Sequence, residues 1–253
     1  MARRIVIAGL KGGCGRTTVA VNLSSALALR GKKILLVDMD PQAGASVSLG
    51  VVAGEGEPSV YDLLLGLEET FAKAVYPAAV EGLHVVPSTA ALCGAELELS
   101  EEPERQWRLS RLLDLLDEGY DYVFVDTPSS FGLLTLNSLV ACREVLAPVA
   151  PGPLHIMAVE RLEEVVGQVN SELGTQVDIR GIIPNMVDKR TGPSGTAIKK
   201  LVARFGSGLV RSRIRLDAKL SDAPSSGAPI QLFSPKSNSA YDFEVLADDV
   251  MVL

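Results

Sequence analysis

Residues 11–18 read Lys-Gly-Gly-Cys-Gly-Arg-Thr-Thr and stand between an apolar run, Arg4 to Ala8, and a helical pattern from about Thr17 to Arg30. A glycine-rich turn between a strand and a helix is suited to holding phosphate. Glycines let the backbone approach an anion closely. Successive N–H groups then point inward, and the helix N-terminus adds positive charge. Gly12, Gly13, Cys14, Gly15, Arg16, Thr17 and Thr18 are thus candidate contacts, and Thr17 has the hydroxyl placed to ligate Mg2+. The plain alternative, a strand-to-helix turn without a ligand, does not explain a lysine, an arginine and two threonines at these spacings.

Two further apolar runs end in acids. Lys33 to Val37 leads into Asp38-Met39-Asp40-Pro41-Gln42, and Tyr120 to Val125 leads into Asp126-Thr127-Pro128. A lone Asp after a strand is usually a turn or helix cap. Ligands of parallel sheets bind beyond the carboxyl ends of the strands, however, so these acids are expected to face the phosphates. A metal-site role is expected for them.

The loop and the D-x-D-P-Q element together resemble the ParA/MinD group of deviant Walker ATPases, and the resemblance extends over nearly the whole chain. It implies ATP and Mg2+ as ligands. It makes Lys11 the lysine that reaches across a nucleotide-sandwich dimer. It makes Asp40 the residue that orients the attacking water, Asp38 a support of the metal shell, and Asp126 an aspartate acting on Mg2+ through water. The family's second loop lysine, which contacts the β- and γ-phosphates, is here Arg16. Arginine keeps the charge but is a planar fork, not a compact ammonium, so binding is expected with weak turnover. Pro184-Asn185-Met186 and Ser221-Asp222-Ala223-Pro224-Ser225-Ser226-Gly227 resemble the loops that frame the adenine, which assigns Asn185, Ala223 and Pro224 to the nucleotide.

The elements needed to hold these residues are legible as periodicity. Strands are expected over Leu83 to Val86, Glu144 to Val149 and Val177 to Ile183. Helices are expected over Val60 to Leu65 with Ser59 as cap, Pro103 to Asp117, Leu133 to Cys142, Leu154 to Leu173, Ser194 to Phe205 and Ser239 to Val252. Arg30 and Gly31 suit the end of the first helix. Gly50 to Pro58 and Ala223 to Pro229 read as loops. Strands alternating with helices give an α/β fold, a mostly parallel central sheet flanked by helices on both faces. With the loop, this is a single-domain P-loop fold over residues 1–253.

Of the 253 residues 47% are hydrophobic and 22% charged, a globular mixture. Cys14, Cys93 and Cys142 are scattered and odd in number, which argues against a disulfide framework. No pair has metal-ligand spacing, which disfavours the iron-protein branch of the superfamily. Cys93 and Cys142 are expected in the core, and His84 and His155 receive no role. No leader or membrane-spanning stretch is visible, so a cytoplasmic, nucleoid-associated protein is expected.

The net charge of −7 weakens a nucleic-acid reading, but its distribution restores it. Lys189, Arg190, Lys199, Lys200, Arg204, Arg211, Arg213, Arg215 and Lys219 face one acid, Asp217, in the same stretch. Asp188 to Thr191 resembles a segment carrying a DNA-contacting arginine in short chromosomal ParA proteins. Nonspecific DNA is therefore an expected partner, with a solvated face as the alternative. Arg190, Lys199, Lys200, Arg204, Arg211, Arg213, Arg215 and Lys219 are the candidate contacts. The resemblance further implies a homodimer and a ParB-like adaptor. The terminal segment from Tyr241 is acidic on its polar face, so packing against the body is expected, not membrane binding. Chromosome or plasmid partition is the leading reading. A nonhydrolysing nucleotide-dependent scaffold and a MinD-like membrane regulator are the alternatives.

Overall fold

A computed structural model of the chain describes residues 2–66, 73–116, 118–188, 192–206 and 211–253. The strands are β1 (Arg3–Ile7), β2 (Ile34–Asp38), β3 (Tyr76–Pro77), β4 (Leu83–Val86), β5 (Tyr122–Asp126), β6 (Glu144–Val149) and β7 (Asp178–Pro184). They form one sheet in the order β3-β4-β2-β5-β1-β6-β7, parallel except where β3 runs against β4. The helices are α1 (Arg16–Ala28), α2 (Gly44–Ser48), α3 (Val60–Leu64), α4 (Leu92–Glu98), α5 (Arg108–Leu116) and α6 (Leu133–Cys142). They continue as α7 (Pro153–Leu173), α8 (Gly192–Phe205), α9 (Lys219–Asp222), α10 (Ile230–Phe233) and α11 (Asn238–Met251).

Side chains alternate across the sheet, so each strand feeds two cores. Ile5, Ile7, Ile34, Leu36 and Phe124 pack with α1 and α11 through Val19, Leu23, Leu27, Phe243 and Leu246. Val6, Ala8, Leu35, Val37, Val123 and Val125 pack with α5, α6 and α7 on the other face. Strands buried on both faces explain why their sequences are continuously apolar. The acidic terminal helix α11 is packed as expected, with Phe243, Leu246, Ala247 and Val250 buried.

Several expectations need correction. The helix expected over Pro103 to Asp117 is broken: Glu104 takes a positive φ of 55°, a 3-10 turn covers Arg105–Trp107, and α5 follows. A residue at that φ lies outside the right-handed helical region, so one helix cannot run through it. α1 ends at Ala28, and Arg30 turns away from it to pair with Glu244 and Asp248 of α11. Cys93 is exposed, not core; Leu92 and Ala95 take the inner face of α4, and a residue one step along a helix points about 100° away. Cys142 is buried. Within the stretch read as a loop, Ala223–Ser226 forms a 3-10 turn.

Candidate functional site

β1 runs inside the sheet, between β5 and β6, so the turn that follows it opens at the carboxyl edge. Gly13 and Gly15 have φ of 73° and 88°, values that L side chains rarely adopt. At Gly15 a Cβ would also stand 2.1 Å from Asn185 Nδ2. The first N–H groups of α1 have no acceptor within their own helix, and they open onto this turn.

Beneath the turn, the Thr17 hydroxyl donates to Asp126 Oδ2 at 2.7 Å. The other oxygen, Asp126 Oδ1, is buried without a hydrogen-bond partner among the described residues. Asp126 is fully buried at the end of β5 and stands level with Asp38 at the end of β2. Asp38 is differently placed: Oδ2 accepts from the N–H and hydroxyl of Ser46 at 2.8 and 2.7 Å, and Oδ1 accepts from the Asp40 N–H at 3.1 Å. Asp40 is half-buried, and its Oδ1 accepts from the Gln42 N–H at 2.9 Å.

Burial and the neighbouring Asp38 charge push the Asp126 carboxyl well above the usual range, against the opposing pull of Thr17 and Arg16. Burial likewise pushes Asp38 up to about 6. Converging buried carboxylates are unfavourable unless something positive joins them. An orphaned carboxylate oxygen beside a hydroxyl is a hard oxygen donor set, which fits Mg2+. No three acidic, histidine or cysteine side chains among the described residues converge closely enough to hold a metal alone. Phosphate oxygens and water would have to complete the shell, as is usual for Mg2+.

These shifts fix a pH dependence. Asp38 binds its proton more tightly folded than unfolded, so its stabilising contribution is full below about pH 4 and is lost as pH rises through about 6. Without nucleotide, wild type should lose roughly 2 kcal/mol relative to Asp38→Asn between those limits. Denaturant unfolding of both proteins at pH 4.5 and 7.5 measures this. Equal slopes would show that Asp38 ionises without penalty.

An AAA-domain family profile matches residues 2–179. The sporulation initiation inhibitor protein Soj of Bacillus subtilis (strain 168) is 37% identical over 99% of this chain and 98% of its own length. The chromosome-partitioning ATPase Soj of Thermus thermophilus is 39% identical over 98% of this chain and 95% of its own. The chain belongs to the ParA/MinD family of ATPases. Among solved structures, cobyrinic acid a,c-diamide synthase from Mycobacterium smegmatis with bound ADP and magnesium superposes with a TM-score of 0.85. The pair is 29% identical over 99% of this chain and 94% of that one.

In this ParA/MinD-family chain the two loops expected around the adenine do reach the phosphate loop. Asn185 is buried and donates from Nδ2 to the Cys14 carbonyl at 2.8 Å. Ala223 and Pro224 line a small cavity of about 20 Å³ that also touches Thr18. Lys11 is half-buried, and its ammonium forms no ion pair among the described residues. His155, unassigned in the sequence, shares a small cavity with Lys11 and Cys14. Burial and the Lys11 charge lower its pKa, and its Nδ1 is buried without a hydrogen-bond partner among the described residues. Nothing in the spacing of a lone histidine could have placed it there.

The basic district divides. Arg190 lies outside the described residues. Lys199 and Lys200 are exposed on α8, and Arg213 is exposed beyond it. Arg204 is held by Glu160 and Glu163 and lies 4.9 Å over the Phe205 ring. Arg215 pairs with the nearly buried Asp242, and Arg211 donates to the Arg180 carbonyl. Lys219 donates to the Ser234 hydroxyl at 3.1 Å. Arg211, Arg213 and Arg215 line a groove of about 490 Å³ with Tyr241 and Asp242. Arg204 and Arg215 are thus engaged in internal ion pairs, while Lys199, Lys200 and Arg213 face solvent.

Proposed function

We propose that the chain is a chromosome- or plasmid-partitioning ATPase that binds MgATP at residues 11–18, dimerises on it and then binds DNA without regard to sequence. The observation that carries the reading is the Thr17–Asp126 pair with its orphaned oxygen beneath a glycine turn. The partitioning names of the relatives point the same way. Residues 1–253 act as one nucleotide-binding domain. Asn185, Ala223 and Pro224 frame the base. Thr17 and Asp126 hold the metal, with Asp38 fixing the Ser46 turn behind them. Mg2+, when bound, supplies positive charge at the phosphates. Asp40 orients the water for in-line attack, Lys11 adds electrostatic stabilisation, and Arg16 keeps a positive charge beside the phosphates with weak turnover. A ParB-like adaptor triggers turnover, and the protein works in the cytoplasm on the nucleoid.

A nonhydrolysing scaffold is the second reading, favoured by Arg16 at the loop's lysine position. Turnover measured with and without DNA and adaptor separates the two. A MinD-like membrane role is less favoured, because α11 spends its apolar face on α1. No helix among the described residues is long and apolar enough to cross a membrane.

The DNA step has its own test. Each protomer is net negative, so one basic face should bind duplex poorly and two side by side should bind by avidity. If the dimer neutralises about six phosphates, the log–log salt slope should be roughly −5. Electrophoretic shifts in ATP, ADP and no nucleotide, at two salt concentrations, should show binding in ATP alone. Changing Arg190, Lys199 and Lys200 together to Glu should abolish it and spare ATP binding. Survival of binding in that triple variant would leave the district a solvated face.

A further inference from the structure

The side chain that departs from the family pattern is also the most heavily bonded in the loop. Arg16 is buried, with 9% of its surface exposed. Its Nε donates to the Thr127 carbonyl at 3.0 Å. Its Nη1 donates to the carbonyls of Gly9 at 2.6 Å and Lys11 at 3.1 Å, and lies 3.5 Å from Cys14 Sγ. Nη2 has no partner among the described residues. Thr127 is itself fixed, buried with its hydroxyl donating to the Ile7 carbonyl at 2.9 Å. One guanidinium therefore joins the entrance of the phosphate loop to the residue that follows Asp126.

We propose that Arg16 is a positioning residue whose guanidinium staples the phosphate loop to the segment after β5, leaving only Nη2 to meet a phosphate. The chemistry of the two cations carries the point. A lysine has all its donors on one nitrogen, whereas arginine carries donors on three nitrogens fixed in one plane. A terminal ammonium therefore cannot serve Thr127 from the Nε position and Gly9 and Lys11 from the Nη1 position at once. The staple keeps the loop arched before a ligand arrives, which favours binding by pre-organisation. The same anchoring ties the charge to loop carbonyls, so it does not move with a phosphoryl group in transfer. An interaction made equally in ground and transition states does not raise kcat. The consequence for turnover rests on the ATPase reading; the staple itself does not.

The test uses the full chain labelled with 15N at arginine. In nucleotide-free protein one Nε–H resonance should exchange with water at least about tenfold more slowly than those of the exposed Arg111 and Arg161, as a buried hydrogen bond requires. Loss of that resonance in Arg16→Lys assigns it, and Arg16→Gln serves if the lysine variant does not fold. The resonance should stay slow at saturating ADP, because Nε faces Thr127 and not the phosphates. Fast exchange in nucleotide-free protein, or loss of protection on adding ADP, would overturn the staple. In Arg16→Lys, kcat should rise by about tenfold with KM changed little, a loss of about 1.4 kcal/mol from the barrier. An unchanged kcat would overturn the link to turnover. If ADP does not bind at all, the ATPase reading fails, while the nucleotide-free exchange rate still decides the staple.

Discussion

Asp40→Ala is expected to abolish ATP turnover while leaving nucleotide binding intact. Among the three carboxylates at the carboxyl edge, Asp40 alone has both moderate exposure and an oxygen left over. Asp126 is committed to Thr17, and Asp38 to Ser46 and the Asp40 N–H. Asp40 uses one oxygen on the Gln42 N–H, and the other has no hydrogen-bond partner among the described residues. A carboxylate so placed can align and polarise a water, a role worth roughly 10²- to 10⁴-fold in rate. Truncation forfeits one turn hydrogen bond, about 1 kcal/mol, and removes a charge that presses on both buried aspartates. Folding should survive, and the loss should fall on kcat. Single-turnover hydrolysis, with calorimetric titration of a nonhydrolysable analogue, measures both sides. Hydrolysis at the wild-type rate would remove Asp40 from the mechanism.

Lys11→Ala should give the second large effect, loss of the ATP-dependent dimer. Lys11 stands at the entrance of the loop, where its carbonyl is bonded by Arg16 and its ammonium has no ionic partner among the described residues. A charge without use inside its own protomer is available to a second one, whose nucleotide offers phosphates. Truncating one member of a buried, hydrogen-bonded charge pair weakens an interface by about 2–5 kcal/mol, or roughly 30- to 5,000-fold for each pair. In a symmetric dimer the loss occurs twice. The backbone bond to Arg16 is untouched, so ATP binding by the monomer should persist. Light scattering with ATP should show monomers of Lys11→Ala at concentrations where wild type is dimeric. Dimers that persist would assign Lys11 to its own loop.

Much of this site could be read from local sequence. Glycines between an apolar run and a helical repeat mark the loop, and an acid that ends an apolar run marks the ligand edge of the sheet. Both are signals carried within about ten residues, and the structure puts Thr17, Asp38, Asp40 and Asp126 together accordingly. The helix Leu133–Cys142 has the boundaries its apolar run implies. The short α2 carries too few residues for a repeat to show, yet its Ser46 is what saturates Asp38.

Residue types and their spacing dictate the chemistry available: a phosphate turn, a hydroxyl and acids for a hard cation, and an arginine at the position of a lysine. They also dictate the two-faced sheet, because apolar strands flanked by amphipathic helices have few other ways to bury both faces. How each group is used depends on its long-range packing. Among the described residues Asp126 has an unbonded oxygen and Asp38 has none, although both are acids at strand ends. Arg215 is neutralised by Asp242 while Lys199 and Lys200 stay open, although all belong to one basic stretch. Arg16 meets a carbonyl 111 residues away because β1 lies beside β5 in the sheet. Hydrogen-bond partners at such separations depend on strand order, and strand order follows from how whole faces pack, which no local window of the chain contains.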